Sequence, residues 1–435
     1  MNVRKTVFFS LLSCAENGRY SNLEADTALS RSISDAKDKT FYTVLFYGTI
    51  EKQITLDHQI AKLTDSPVSK LQTKVLILLR MGLYQLLFMS SVPDHAAVGE
   101  TVSLAKELVN KGAVGFINAV LRSAQRTLKD ESGNVTLKTP DRTRDICGYL
   151  SIKYSYPRYL CKLWIKAYGE EKTELIMRAQ NERHGITLRV NTLKTTREAL
   201  LKELLEKGIQ AEASTLNEDG INVTSASVAE LPHFGDGHFF IQDDASRMAV
   251  AALDPKEGET VFDMCACPGG KSFAAAIAMN NHGCVYSFDI HENKLSLIES
   301  GAKRLGIEII KTAQNDAAVQ VPELIGKADR VICDVPCSGF GTISKKPDLR
   351  LKDRESVEGL PELQYRILDT CSDYVKNGGH LLYSTCTLNP AENEDNVRLF
   401  LQSHPNFELR EIKTNFPYAS LSDGFFFAVM RKNEK

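Results

Sequence analysis

Apolar side chains recur at helical spacing through the first 130 residues. Phe41, Tyr42, Val44, Leu45 and Tyr47 mark one helix, Val75 to Met89 a second, and Val114 to Leu128 a third. Pro93-Asp94 ahead of an Ala/Val/Leu-rich run predicts another helix start, with Asp94 as its N-cap. The polar stretch at 129–142 (KDESGNVTLKTPDR) then breaks the periodicity and predicts a linker. Helical spacing resumes from Tyr149 to Asn181. It gives way to the alternation Ile186-Thr187-Leu188-Arg189-Val190-Asn191, a strand pattern, then a helix over Thr196–Lys207 and a short extended stretch at Ile221–Val223.

From Glu259 the pattern is β-loop-α, repeated. Strands are predicted at Thr260–Met264, Cys284–Asp289, Arg330–Asp334 and His380–Tyr383, with a further strand region before Asp316. Helices at Ser272–Met279, Glu292–Leu305, Pro361–Val375 and Glu394–Ser403 alternate with them. Such alternation predicts a largely parallel sheet covered on both faces, with ligands at the C-terminal ends of its strands. The expected architecture is therefore a helical domain (1–140), a small α+β segment (145–238) and a Rossmann-like α/β domain (239–435). The 435-residue length accommodates two to four domains.

Charge and composition exclude several classes. The 53 basic and 55 acidic side chains leave a formal net charge of −2, so no global field announces a nucleic-acid partner. Any RNA affinity must come from local basic surface and base contacts. The ten cysteines include no C-x-x-C pair and match neither a zinc site nor a disulfide framework, so no metal is expected. Arg4 and Lys5 ahead of Val7–Leu12 only faintly imitate a signal peptide. The run Val75–Met89 carries Arg80 and Gln85 and falls short of the ~20 residues of a membrane span. A cytoplasmic protein acting away from membranes, as a monomer, is expected.

The candidate chemistry lies at the strand ends. The first ends in Asp263-Met264-Cys265-Ala266-Cys267-Pro268-Gly269-Gly270-Lys271, whose paired glycines let backbone approach a ligand and turn into a helix. Asp289 ends the next strand and can accept hydrogen bonds from both hydroxyls of a ribose. Asp316 is suited to meet an adenine amino group. The G-x-G-x-x-G fingerprint is absent, which favours a nucleoside cofactor without phosphates, though the same residues also describe an ordinary tight β–α turn.

Two further strand ends read Asp334-Val335-Pro336-Cys337-Ser338-Gly339 and Tyr383-Ser384-Thr385-Cys386-Thr387-Leu388-Asn389-Pro390. Cysteines in Gly/Pro/Ser-rich loops at ligand-binding ends suit reactivity better than packing. One chemistry uses a cysteine pair in this way. A thiolate adds to carbon 6 of cytosine, carbon 5 becomes nucleophilic toward a sulfonium methyl group, and a second cysteine assists departure. Asp334 is placed to bond the ring nitrogen that gains charge.

The segments CACPGGK (265–271), DVPCSG (334–339) and YSTCTLNPAENE (383–394) resemble the signature motifs of RNA cytosine-5 methyltransferases. QDDAS (242–246) and DGFFFAVMRK (423–432) are similar to further motifs of that family. The segments YSNL (20–23), DKTFYTVLFYGTIEKQITLD (38–57), VPDHAAVGETVSLAK (92–106) and GFINAVLRSAQR (115–126) resemble the NusB-like helical RNA-binding domain. This combination resembles the bacterial ribosomal RNA small-subunit methyltransferase B (Sun/Fmu) family. The resemblance implies S-adenosylmethionine as cofactor and 16S ribosomal RNA as substrate. It implies Cys386 as nucleophile, Cys337 in product release, and Cys265, Ala266, Cys267, Pro268, Gly269, Gly270, Lys271, Asp289, Asp316 and Asp334 around the cofactor, with Asp334 also facing the base. Cys267 departs from the alanine usual there, adding an oxidisable thiol to the loop. The loop TISKKPDLRLKDR (342–354), basic at Lys345, Lys346, Arg350, Lys352 and Arg354, is expected to track RNA phosphates. A transfer-RNA methyltransferase of the same chemistry and a non-catalytic RNA-binding factor are the alternatives.

Overall fold

The computed structural model describes residues 2–130, 132–182, 185–224, 231–419 and 422–434. It divides into two compact units, one of residues 1–177 with 346–352, the other of residues 178–345 with 353–435.

The first unit is helical: α1 (Val3–Asn17), α2 (Ser21–Arg31), α3 (Ala36–Glu51), α4 (Gln53–Thr64), α5 (Thr73–Phe88), α6 (Asp94–Leu108), α7 (Lys111–Thr127), α8 (Ile146–Tyr154) and α9 (Arg158–Ala179). Short polar residues start several of them. The Asn2, Asp35, Asn110 and Asp145 side chains each accept a backbone N–H of the first turn. Asp94 does not: Pro93 occupies the cap position and Asp94 is the first helical residue, paired with Lys129 at 2.6 Å. An acid in a first turn still complements the helix dipole. Helix α5 is buried nearly all round and forms the centre, with Leu78, Leu79 and Leu83 at 0 % exposure; burying each such side chain stabilises by ~1.5–3 kcal/mol. The expected linker is not free chain. Val135 and Leu137 pack on the helical core, and the Gln59 amide brackets Lys138, donating to its carbonyl and accepting its N–H. Residue 131 of that segment lies outside the described residues.

The basic loop has a different role from the one its charge suggests. Residues 346–352 belong to the helical unit. Arg350 is buried, its guanidinium 4.8 Å over the Tyr156 ring and donating to the Glu51 carbonyl at 3.0 Å. Asp348 accepts from the N–H and hydroxyl of Ser21 at the start of α2. A cation committed to a ring and a carbonyl is unavailable to phosphates.

The second unit holds two sheets. The smaller comprises β1 (Ile186–Val190), β2 (Ala211–Ala213), β3 (Gly220–Val223) and β4 (Phe239–Ile241), in the order β2-β3-β1-β4, antiparallel throughout, with α10 (Arg197–Glu206) packed on it. The larger has seven strands: β5 (Thr260–Asp263), β6 (Cys284–Asp289), β7 (Ile310–Gln314), β8 (Ala328–Asp334), β9 (Val375–Thr385), β10 (Phe407–Asn415) and β11 (Phe425–Lys432). Their order is β10-β11-β9-β8-β5-β6-β7. The five strands β5 to β9 pair in parallel, and β11 is antiparallel to both β9 and β10. Helices α11 (Asp244–Leu253), α12 (Gly270–Ala278), α13 (Glu292–Leu305), α14 (Glu355–Glu358), α15 (Leu360–Tyr374) and α16 (Glu394–Ser403) accompany it. Two apolar cores lie against this sheet, one built from Val261, Ile332 and Leu382, the other from Phe262, Val331 and Leu381. The register is what matters for chemistry: Asp263 lies opposite Ile332 and Ser287, and Asp334 lies opposite Ser384. Strand order reverses beside β5, and the crevice at such a point is where ligands bind in open α/β sheets. No described helix is long and apolar enough to cross a membrane.

Candidate active site

Strand β5 delivers Asp263 into the interior, with none of its surface exposed. The Ser272 hydroxyl donates to one of its oxygens at 2.7 Å and the Ser287 hydroxyl donates to Ser272 at 2.7 Å. Burial pushes the Asp263 carboxyl up to about 7; the Ser272 bond opposes the rise and the neighbouring Asp334 adds to it. Its second oxygen, Oδ1, has no hydrogen-bond partner among the described residues. The turn that follows needs glycine at position 269. Gly269 has φ +110°, and a Cβ there would fall 2.5 Å from the Phe273 ring.

A cleft of about 600 Å³ opens at these strand ends. Cys265, Cys267, Pro268, Asp289, Asp316 and Asp334 line it, between apolar walls that include Ile290 and Leu363. Asp289 is preset by two backbone N–H groups, accepting from Cys267 at 3.2 Å and from His291 at 3.0 Å. Asp316 accepts the Ala318 N–H at 2.9 Å. Of the remaining residues expected here, Ala266 is buried, while Gly269 and Gly270 form the turn into α12. The Gly270 carbonyl accepts from Gln242 of the QDDAS segment at 3.0 Å. Lys271 turns inward. Its ammonium is 2.7 Å from Asp334, donates to Ser246 at 3.0 Å and lies 5.1 Å from the centre of the Phe425 ring. Burial, with Asp289 close by, pushes the Cys267 thiol up to about 12.

The two loop cysteines meet. Cys337 Sγ and Cys386 Sγ are 3.2 Å apart, and all ten cysteines are reduced. The hydrogen bond with Cys386, then burial, holds the Cys337 thiol well above the ordinary range. Either thiol can be the donor in that contact. The loops also share backbone: the Gly341 N–H donates to the Cys386 carbonyl at 3.0 Å. A Cβ on Gly341 would lie 1.8 Å from the Gly424 carbonyl, so glycine is required at this crossing. Asp334 links this group to the cleft, accepting from the Ser384 hydroxyl at 2.8 Å while held by Lys271.

Lys345 also departs from the phosphate-tracking expectation, since it bridges Asp243 at 2.7 Å and Asp423 at 2.8 Å. Burial, then Asp243, pushes the Asp423 carboxyl up to about 7 against the pull of Lys345. The QDDAS and DGFFF segments are thereby tied to the chain that leaves the Cys337 loop. Arg354 pairs with Glu358 at 2.9 Å, and Lys346 stays exposed. Asp263 and Glu392 escaped the sequence reading, although both stand inside or beside quoted motifs. For Asp263 the signal was an acid among small and apolar neighbours; Glu392, beside Asn393 and Glu394, carried none.

Three family models match successive parts of the chain. Residues 250–431 match the model of 16S rRNA methyltransferase RsmB/F, residues 1–126 that of the NusB family, and residues 156–229 that of the RsmF/B-like ferredoxin-like domain. The probable ribosomal RNA small subunit methyltransferase B of Bacillus subtilis (strain 168) is 36% identical, covering 99% of each chain. The ribosomal RNA small subunit methyltransferase B of Escherichia coli O17:K52:H18 is 34% identical over 93% of this chain and 92% of its own. Among solved structures, that of PH0851 superposes with a TM-score of 0.80 at 27% identity, over 99% of both chains.

Proposed function

The chain belongs to the ribosomal RNA small subunit methyltransferase B family, with S-adenosylmethionine as methyl donor, and on that premise we propose that it methylates carbon 5 of one cytosine in 16S ribosomal RNA through a covalent Cys386–cytosine adduct. The observation that carries this reading is the 3.2 Å contact between Cys386 and Cys337 beside Asp334.

The cleft fits the donor. Asp289, fixed by two backbone N–H groups, retains lone pairs for a ribose, and the apolar walls suit an adenine. Asp316 stands at the same cleft for the adenine amino group. S-adenosylmethionine supplies an electrophilic methyl group on a positively charged sulfur. The carboxylates of Asp289, Asp316 and Asp334 give the cleft a sign that favours that charge.

The protein residues divide the remaining work. Cys386 adds as thiolate to carbon 6, forming the S–C6 bond and sending the π electrons of the C5=C6 bond into the ring. The ring nitrogen takes up a proton from solvent as it gains charge, and the Asp334 carboxylate accepts a hydrogen bond from that N–H. Once carbon 5 carries the methyl group, Cys337, having released its own proton to solvent, accepts the carbon-5 proton as a thiolate. The C–H electrons rebuild the C5=C6 bond, and the S–C6 pair returns to Cys386. Extrusion of the base from its stack costs a few kcal/mol, offset by contacts elsewhere on the RNA.

Bisulfite sequencing of 16S ribosomal RNA from cells with and without this gene tests the target. One cytosine should lose protection when the gene is absent. Protection lost in a transfer RNA instead would move the substrate, and no change at any cytosine would end the carbon-5 reading. Calorimetry tests the cofactor residue. Asp289→Ala should weaken S-adenosylmethionine binding by roughly ten- to a hundredfold, the loss of hydrogen bonds to a charged acceptor. An unchanged affinity would remove Asp289 from the site.

A further inference from the structure

Glu392 takes no part in the chemistry above, yet its side chain is completely buried between the two cysteine loops. Oε2 accepts the Ser338 N–H at 2.9 Å and the Gln364 amide at 2.8 Å. Oε1 accepts the Ser338 hydroxyl at 2.5 Å and the Asn389 amide at 2.9 Å. Four donors fill the four lone-pair sites of the carboxylate, and all four are neutral. The Ser338 hydroxyl also meets the Thr387 hydroxyl at 2.6 Å. Because Ser338 gives its own proton to Glu392, Thr387 is the donor in that pair.

The identity of the bonded residues gives the arrangement its meaning. Ser338 directly follows Cys337, Thr387 directly follows Cys386, and Asn389 belongs to the Cys386 turn. Gln364 additionally donates to the Pro336 carbonyl at 2.9 Å, the residue before Cys337. Removing a carboxylate from water costs several kcal/mol, and an apolar residue of the same volume would fill this space at lower cost. What an apolar residue cannot do is bond both loops at once.

We propose that Glu392 is a positioning residue that sets the approach of the Cys337 and Cys386 sulfurs, acting through Ser338 on one side and through Thr387 and Asn389 on the other. Its catalytic consequence rests on the two-cysteine reading; its geometric consequence does not.

The test uses the intact protein with Glu392→Gln and Glu392→Ala. A ruler independent of activity is available, since diamide oxidises neighbouring thiols. Two S–H bonds are lost, one S–S bond forms, and two protons and two electrons pass to the N=N bond of the reagent. Peptide mass spectrometry then follows the Cys337–Cys386 disulfide against time. The glutamine variant is isosteric but must turn its NH2 toward donors. Its disulfide rate and kcat should each fall about tenfold, and those of the alanine variant about a hundredfold. S-adenosylmethionine affinity should stay within twofold of wild type, which also reports folding. A folded glutamine variant that forms the disulfide and turns over within twofold of wild type overturns the proposal. Slowed disulfide formation with unchanged kcat sustains the positioning and counts against the two-cysteine chemistry. Should both Glu392 variants fail to bind cofactor, Ser338→Ala reads the same link from its other end. An undiminished disulfide rate there would equally overturn it.

Discussion

Cys386→Ala will abolish methyl transfer, by on the order of 10⁴-fold or more, while leaving S-adenosylmethionine affinity unchanged. Cys337→Ala will instead accumulate a protein–RNA species that survives denaturing electrophoresis. The two thiols are neighbours and both half-buried, so sequence position alone does not distinguish them. The proposed steps do: Cys386 makes the bond to carbon 6, and Cys337 acts after methyl transfer. Without Cys337, addition and methyl transfer proceed but the carbon-5 proton has no base, and the adduct persists. The double variant will trap nothing, because trapping needs the nucleophile. Adduct on the Cys386 variant would exchange the two roles. Full activity of that variant would end the covalent mechanism. If both single variants were inactive and neither trapped RNA, Cys337 would be needed before methyl transfer.

What the sequence made legible follows from where periodicity is imposed by burial. Cys284–Asp289, Glu292–Leu305 and Glu394–Ser403 have the bounds their patterns predict, because each turns a regular set of side chains into the core. Strand β9 runs to eleven residues where four were expected, since Lys376-Asn377-Gly378-Gly379 reads as a turn but pairs irregularly within the sheet. Strand β10 was missed altogether. It is an edge strand with only Phe407 buried, so its composition carries no inward stripe. At the site, residue types and strand-end positions pointed to the cysteines and to the acids of the cleft, and family resemblance assigned their roles. Direction was not legible. Nothing in CACPGGK says that its lysine turns onto Asp334, and nothing in a basic loop says that Arg350 is buried against Tyr156. Charge counts describe what a segment carries; only packing decides what remains free.

The Lys271–Asp334 pair shows the consequence most sharply, and substituting it separates structure from chemistry. Lys271 is 8% exposed at its side chain and Asp334 34%, with 2.7 Å between them. Lys271→Met leaves a partly buried carboxylate with the Ser384 hydroxyl as its one remaining partner among the described residues. Breaking such a pair from one side is destabilising, and the partial exposure of Asp334 reduces the expected cost to ~2–4 kcal/mol. Asp334→Asn leaves the ammonium without its counter-charge and should cost a similar amount. The double variant Lys271→Met/Asp334→Asn removes both charges together and should recover most of the lost stability in urea unfolding, because neither ion is then buried alone. Activity should not recover with it. If Asp334 bonds the ring nitrogen during addition, the double variant will remain at least about a hundredfold down in kcat, the scale of losing one group aimed at developing charge. Stability and kcat restored in parallel would show that Asp334 serves only to balance Lys271, and would remove it from the reaction.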